Sequence, residues 1–307
     1  MLPTAFSERY KVMKNNVTGA ILALLTLASI NLKAEGTEQE TGQPGWSVRH
    51  ENYQAPDMNT LRTIETVFSD FLDITAGPQV TVPTFGNGFT LLRSDSGIYL
   101  LSDGEKRGWG HFLLAPRRSS TLLLQAPHQF HDLRTGQIAV ALFERGVGKA
   151  LALNSTHRYR FGKDTPRADW AHHPLSPLNA FTRAFLAHYR QGTVVQLHGY
   201  AEKKRDSSVA RQSDVILSSG QRWPQPGMLK LAQCLTDNTD WQILRYPLDV
   251  GELGGTTNVQ GRLMASLGNL RFIHLELSAN LRQTLIADST TINPLVQCLA
   301  GLTSEAE

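Results

Sequence analysis

The chain of 307 residues has only two cysteines, Cys234 and Cys298. So few exclude a cysteine-ligated metal cluster and a disulfide-dense scaffold, and they allow one bridge at most. Both lie in helix-like apolar segments, so a disulfide and two buried free thiols both fit the pattern. No apolar run reaches the ~20 residues that span a bilayer; the leading one, Val17–Ile30, is about fourteen long. No block of one charge is present beyond Glu202-Lys203-Lys204-Arg205, which reads as a solvated loop. No internal repeat is visible. The polar, glycine-rich run from Gly254 to Arg262 lacks the lysine before Ser or Thr that a phosphate-binding loop needs.

The net charge of +3 is carried by the first 34 residues, where Arg9, Lys11, Lys14 and Lys33 face Glu8 alone. The remainder of the chain is close to neutral, which argues against a nucleic-acid partner or an anionic membrane held by net charge. Met13-Lys14, the run Val17–Ile30 and the small and polar residues up to Ala34 have the pattern of a secretory signal peptide. The expected organisation is a signal peptide over 1–34, a tail and small α+β segment over 35–118, and a larger α/β domain over 119–307. The expected location is periplasmic or secreted, with no membrane span left after cleavage.

Within 35–118, an amphipathic stretch at Asn59–Phe71 is followed by short alternating runs, Phe89–Leu92, Ile98–Leu101 and His111–Leu114, separated by turn residues. These predict a small antiparallel sheet. From residue 119 onward strands and helices alternate. Leu122–Ala126, Ala150–Leu153, Thr193–Leu197, Val215–Leu217, Trp241–Tyr246 and Arg271–Leu277 read as strands. Thr135–Arg145, the segment capped by Ser176 with Pro177 at its first turn, Gly227–Leu235, Val259–Leu267 and Pro294–Leu302 read as helices. The fold class is therefore α/β: a mixed, mostly parallel sheet flanked by helices and preceded by a small β-containing segment.

Three apolar runs end in residues suited to metal hydrolysis. Thr121–Pro127 runs into His128 and Asp132, Thr193–Leu197 into His198, and Arg271–Leu275 into Glu276. In an open α/β sheet the carboxyl ends of the strands surround the ligand site, so these groups can converge. Two imidazoles and a carboxylate suit zinc. The second ligand is Asp132 or its neighbour His131. Alternation along β-structure places His274 and Glu276 on one face and Ile273, Leu275 and Leu277 on the other. A carboxylate in so apolar a strand needs a partner, for which Arg282 or Arg271 would serve, or has a raised pKa suited to a general base. Asp169-Trp170-Ala171-His172-His173 is either a cleft wall or a surface loop, and Gly254–Arg262 either a substrate-recognition loop or a plain connection.

The order of His128 with its acidic neighbour, Asn154-Ser155-Thr156-His157-Arg158, Leu197-His198-Gly199-Tyr200, Leu275-Glu276-Leu277 and Arg282 resembles the zinc carboxypeptidase-like metallopeptidases and their amidohydrolase relatives. The resemblance spans roughly Thr121 to Arg282. It implies a phosphorylase/hydrolase-like fold, zinc on His128, Asp132 and His198, a catalytic base at Glu276, and substrate-carboxylate binding by Asn154 and Arg158. It implies as substrate a peptide or related amide, of cell-envelope origin. This chain departs from the family's His-x-x-Glu motif, since His131 stands at the third position and Asp132 follows it. It also separates the Asn and Arg that the family holds adjacent. A non-catalytic envelope binding or assembly protein that retains the fold is the competing class.

Overall fold

The computed structural model describes residues 49–75, 85–161 and 168–302. The expected signal peptide and the tail as far as residue 48 lie outside the described residues.

Helix α1 (Met58–Leu72) opens with Asp57, whose side chain accepts from the Thr60 N–H at 2.7 Å, and buries a stripe that includes Ile64, Phe68 and Phe71. Strands β1 (Phe89–Arg93), β2 (Tyr99–Asp103) and β3 (His111–Leu114) form the expected antiparallel meander. They do not form a sheet of their own. β3 pairs antiparallel with β5 (Ala150–Leu153), matching His111 to Leu153 and Leu114 to Ala150.

The rest of the sheet is built by β4 (Leu122–Ala126), β6 (Thr193–Tyr200), β7 (Val215–Ser218), β8 (Ile243–Arg245) and β9 (Phe272–Ser278). The nine strands among the described residues belong to one sheet in the order β1-β2-β3-β5-β4-β6-β9-β7-β8. The central run β5-β4-β6-β9 is parallel, and β7 turns antiparallel against β9. The helices are α2 (Thr135–Glu144), α3 (Pro177–His188), the short α4 (Ser208–Gln212), α5 (Pro226–Asn238), α6 (Val259–Ser266), α7 (Ala279–Ala287) and α8 (Asn293–Ala300). Ser176 caps α3 by accepting from Asn179 N–H, ahead of Pro177.

Apolar side chains cover both faces of the sheet, as the near-continuous hydrophobic runs of central parallel strands require. Leu124, Val195, Leu197, Ile273, Leu275 and Leu277 pack with α2, α5, α7 and α8. Leu123, Val194 and Phe272 face the other way, into the layer of α1, α3 and α6. Cys234 of α5 and Cys298 of α8 are joined in a disulfide between two helices of the first layer.

Register decides where the polar residues of the central strands fall. Gln125 is opposite Gln196, which is opposite His274, and two residues further on His198 is opposite Glu276. Partners in register project to one side, here the side of α3 and α6, toward the carboxyl ends of the strands.

Candidate metal centre

A cavity of about 500 Å³ opens at the carboxyl ends of β4, β6 and β9, with His128, Asp132, Arg158, His198, His274 and Glu276 in its wall. After β4 the chain turns at once. The His128 carbonyl accepts from the N–H groups of His131 at 2.7 Å and Asp132 at 2.8 Å, which carries the Asp132 carboxylate back beneath the His128 ring. Asp132 in turn holds the start of α2, its carbonyl accepting from the Thr135 hydroxyl at 2.7 Å.

Asp132 Oδ2 lies 3.3 Å from His198 Nδ1 and 3.6 Å from His128 Nδ1. The two rings meet edge to face, with centroids 5.0 Å apart. These three residues form one of the groups able to hold a metal ion among the described residues, and all three are buried. His131 belongs to none of those groups. It is exposed and packs its ring against His157 and Tyr159.

The far side of each ligand ring is also occupied. His128 Nε2 is 2.8 Å from Asp169 Oδ1, and His198 Nε2 is 2.7 Å from Gln196 Oε1. Asp169 gathers more: Arg158 Nη2 donates to its Oδ2 at 2.5 Å, and His172 Nδ1 lies 3.0 Å from its Oδ1. His172 of this loop lines the cavity, and Asp169 ties the loop to His128. Each Nε2 thus donates to an oxygen that only accepts, whereas the Nδ1 contacts with Asp132, at 3.3 and 3.6 Å, are longer than a normal N–H···O bond of about 2.7–3.2 Å. Arg158 Nη1, which can only donate, sits 3.2 Å from His128 Nδ1 and agrees with that assignment.

Charge follows the same geometry. Burial works against the charged form of Asp132, yet the adjacent His128 and His198 hold its carboxyl well below the usual carboxylate range. Asp169 is lowered likewise, against burial, by His128, His172 and Arg158. Burial pulls His198 down to about 4, so the ring is neutral at pH 7. Two imidazole nitrogens and a carboxylate oxygen thus converge on one point of the cavity. That donor set, with outer acceptors orienting the rings, fits zinc.

Glu276 and His274 complete the wall beside β6. Burial, together with the Asp132 charge, pushes Glu276 up to about 8. Its Oε2 has no hydrogen-bond partner, and its Oε1 is 3.9 Å from His274 Nε2. An ion pair with Arg282 is not formed: Arg282 Nη1 donates to the carbonyls of Leu277 and Tyr200. Its guanidinium occupies the space that a Cβ on Gly199 would fill, which accounts for the glycine after His198. Arg271 stands at the opposite end of β9. His274 is buried with its pKa well lowered by burial and by His198, its ring centroid 4.4 Å from that of His198. Gly255, at φ +60, lets the 254–258 loop close over the His274 ring and line the cavity.

Asn154, expected at the substrate carboxylate, is buried and outside the cavity wall. Its Nδ2 donates to the carbonyls of Pro127 at 3.0 Å and Ala168 at 3.1 Å, and its Oδ1 accepts from the Thr156 N–H at 2.8 Å. It ties the strand end before His128 to the loop that carries Asp169. Two groups with a place in the site went unassigned in the sequence: Gln196, for which an amide inside an apolar strand is the available signal, and Asp169, which had only its histidine-rich loop to mark it.

No family model matches the sequence, and no curated protein does. Solved structures to which the fold is similar include the N-formylglutamate amidohydrolase of Ralstonia eutropha JMP134, at 15% identity and TM-score 0.41, over 64% of this chain and 96% of that one. A bacteriophage poly-gamma-glutamate hydrolase is similar at 11% identity and TM-score 0.38, over 62% of this chain and 86% of its own. An aspartoacylase family protein of Mesorhizobium loti is similar at 12% identity and TM-score 0.37, over 70% and 67%. At these identities and scores a functional reading has to come from the side chains of the cavity.

Proposed function

We propose that this protein is an exported zinc-dependent hydrolase that cleaves a peptide or related amide bond. The observation that carries the reading is the convergence of His128 Nδ1, His198 Nδ1 and Asp132 Oδ2 beside a buried carboxyl group with a free oxygen, Glu276 Oε2. A zinc ion on His128, Asp132 and His198 would polarise an amide carbonyl and lower the pKa of a water to about 7. Glu276 is the general base: its Oε2 takes a proton from the attacking water and hands it to the leaving nitrogen. A positive charge on the neighbouring ligands draws Glu276 back toward the carboxylate that this role needs.

Arg158 grips an anionic end of the substrate with its planar fork. In the resting arrangement that fork is divided between Asp169 and His128, and its Nε is buried without a partner. The disulfide and the signal-peptide pattern support a periplasmic or secreted location, since such bonds persist in oxidising compartments. A cell-envelope peptide or amide is the substrate class consistent with that place. The competing reading, a non-catalytic envelope protein, draws on Arg158, whose cationic fork already rests on a ligand ring.

Elemental mass spectrometry on protein purified without a metal-affinity tag separates the two. The expected result is about one zinc per chain, lost in His198→Ala, with hydrolysis of peptide or amide substrates. Glu276→Gln should keep the metal and lose turnover about 10²–10⁴-fold. A folded chain that takes up no zinc when offered it rejects the hydrolase and favours the binding protein.

A further inference from the structure

A chain of buried amides lies beneath the His198 ring, and it determines more than packing. Gln196 stands two residues before His198 in β6, its Oε1 on His198 Nε2. Three arms fix which way this amide points, and each ends on a backbone group whose role cannot be reversed. In the first, the Thr182 hydroxyl donates to the Leu178 carbonyl at 2.7 Å, so its oxygen accepts from Gln125 Nε2 at 2.9 Å. Gln125 Oε1 is thereby left to accept from Gln196 Nε2 at 2.8 Å.

In the second arm, Gln260 Nε2 donates to the Trp170 carbonyl at 2.9 Å, and its Oε1 accepts from Gln196 Nε2 at 3.2 Å. In the third, Asn258 Oδ1 accepts the N–H groups of Gln260 at 3.0 Å and Gly261 at 3.1 Å, and its Nδ2 donates to Gln196 Oε1. Turning the Gln196 amide over would set oxygen against two acceptor oxygens and nitrogen against a donor. Each buried group left unmet costs about 1–3 kcal/mol. The orientation of Gln196 is therefore over-determined, and an acceptor oxygen is held against His198.

We infer that Gln125, Thr182, Asn258 and Gln260 are positioning residues that act through Gln196 to hold His198 as a single tautomer, proton on Nε2 and lone pair on Nδ1. Nδ1 faces a second acceptor, Asp132 Oδ2, but at 3.3 Å against 2.7 Å for Gln196 Oε1, so the shorter contact takes the proton. The consequence for zinc rests on the metal centre proposed above, whereas the tautomer itself does not. A ring fixed in this form presents its ligand atom without exchanging a proton first, and loss of such outer partners typically lowers metal affinity about 10–100-fold.

The test is ring-nitrogen NMR on the metal-free full chain at neutral pH, with the His198 signals identified by their loss in His198→Ala. The expected pattern is a protonated Nε2 and an unprotonated Nδ1. A protonated Nδ1 overturns the inference, even in a chain that goes on to bind zinc. A chain with the Nε2–H form that binds no zinc rejects the hydrolase reading and leaves this inference standing. The triple variant Gln125→Leu, Asn258→Ser, Gln260→Leu keeps Gln196, a capping oxygen for α6 and every ligand but frees the amide to turn. It should show both tautomers and bind zinc about 10–100-fold more weakly. A folded triple variant with the wild-type pattern and affinity overturns the relay. Should that variant not fold, the wild-type spectrum still decides.

Discussion

Asp169 Oδ1 stands 2.8 Å from His128 Nε2, and the same carboxylate takes Arg158 on its other oxygen. One loop residue thus orients the ring of His128, a proposed metal ligand, and restrains Arg158, the proposed substrate contact.

Replacing Asp169 by Asn keeps the size and removes the charge that holds both partners. Zinc affinity should fall about 10–100-fold, the usual effect of removing an outer partner of a ligating histidine. Competition with a chromophoric chelator measures it. Unchanged affinity would mean that His128 is held in place by other contacts.

Glu276 makes a prediction about stability in the metal-free protein. Its pKa is raised in the folded state from an ordinary 4.5 to about 8, so between those values the folded chain binds the proton more tightly than the unfolded chain. Stability from this group is full below about pH 4.5 and declines as pH rises toward about 8. His198 has the opposite sign: its pKa drops from 6.5 to about 4, so its contribution is lost as pH falls through that window. Above pH 6.5 only the Glu276 effect is left of the two. Glu276→Gln should therefore raise Tm relative to the native chain, with a gain that grows from pH 5 to pH 8. Thermal unfolding across that range checks it, and a gain independent of pH would place the carboxyl in contact with water.

Much of this site was legible because His128, His198 and Glu276 each interrupt an apolar run at the end of a strand. Strand ends of a parallel sheet converge whatever the details of packing. Asp169 was not legible to the same degree, since it lies 41 residues from His128 and only the packing of its loop makes them neighbours. The placement of Asn154 was not legible for a related reason. A polar side chain after β5 could equally face the cavity or tie down backbone, and three hydrogen bonds to main-chain groups settle which. Helix α7 escaped notice because it begins directly after β9 and buries only Leu281, Arg282 and Leu285, a sparse stripe. Its cap, Ser278, accepts from the Leu281 N–H and is also the last residue of the strand.

The Cys234–Cys298 bond closes a loop of 64 residues between two core helices. On chain-entropy grounds such a loop restrains the unfolded state by about 4 kcal/mol. The variant Cys234→Ala, Cys298→Ala should therefore unfold on the order of 10 °C lower. Its zinc affinity should be unchanged, because neither residue lies in the cavity wall. Loss of zinc binding in a folded variant would show that α5 and α8 support the site.

The antiparallel edge is tied to the candidate metal centre through Gly110, just ahead of β3. Gly110 has φ +91, in the region that side chains avoid, and a Cβ there would lie 2.6 Å from both the Leu153 carbonyl oxygen and Cη2 of Trp170. Its N–H is held by Ser155 Oγ at 3.0 Å, so the backbone has little room to retreat. Trp170 is fully buried and adjoins Asp169, and its carbonyl anchors Gln260. Gly110→Ala must bear about 1–2 kcal/mol for the left-handed backbone and about 1–3 kcal/mol for overpacking. Tm should fall by roughly 5–15 °C. If the displaced indole carries Asp169 with it, zinc affinity in the folded fraction falls as well, which calorimetry and chelator competition measure together. A loss of stability with native zinc affinity would show that the strain is absorbed within the edge strands. An affinity loss matching that of Asp169→Asn would show that residues before 119 help to build the site.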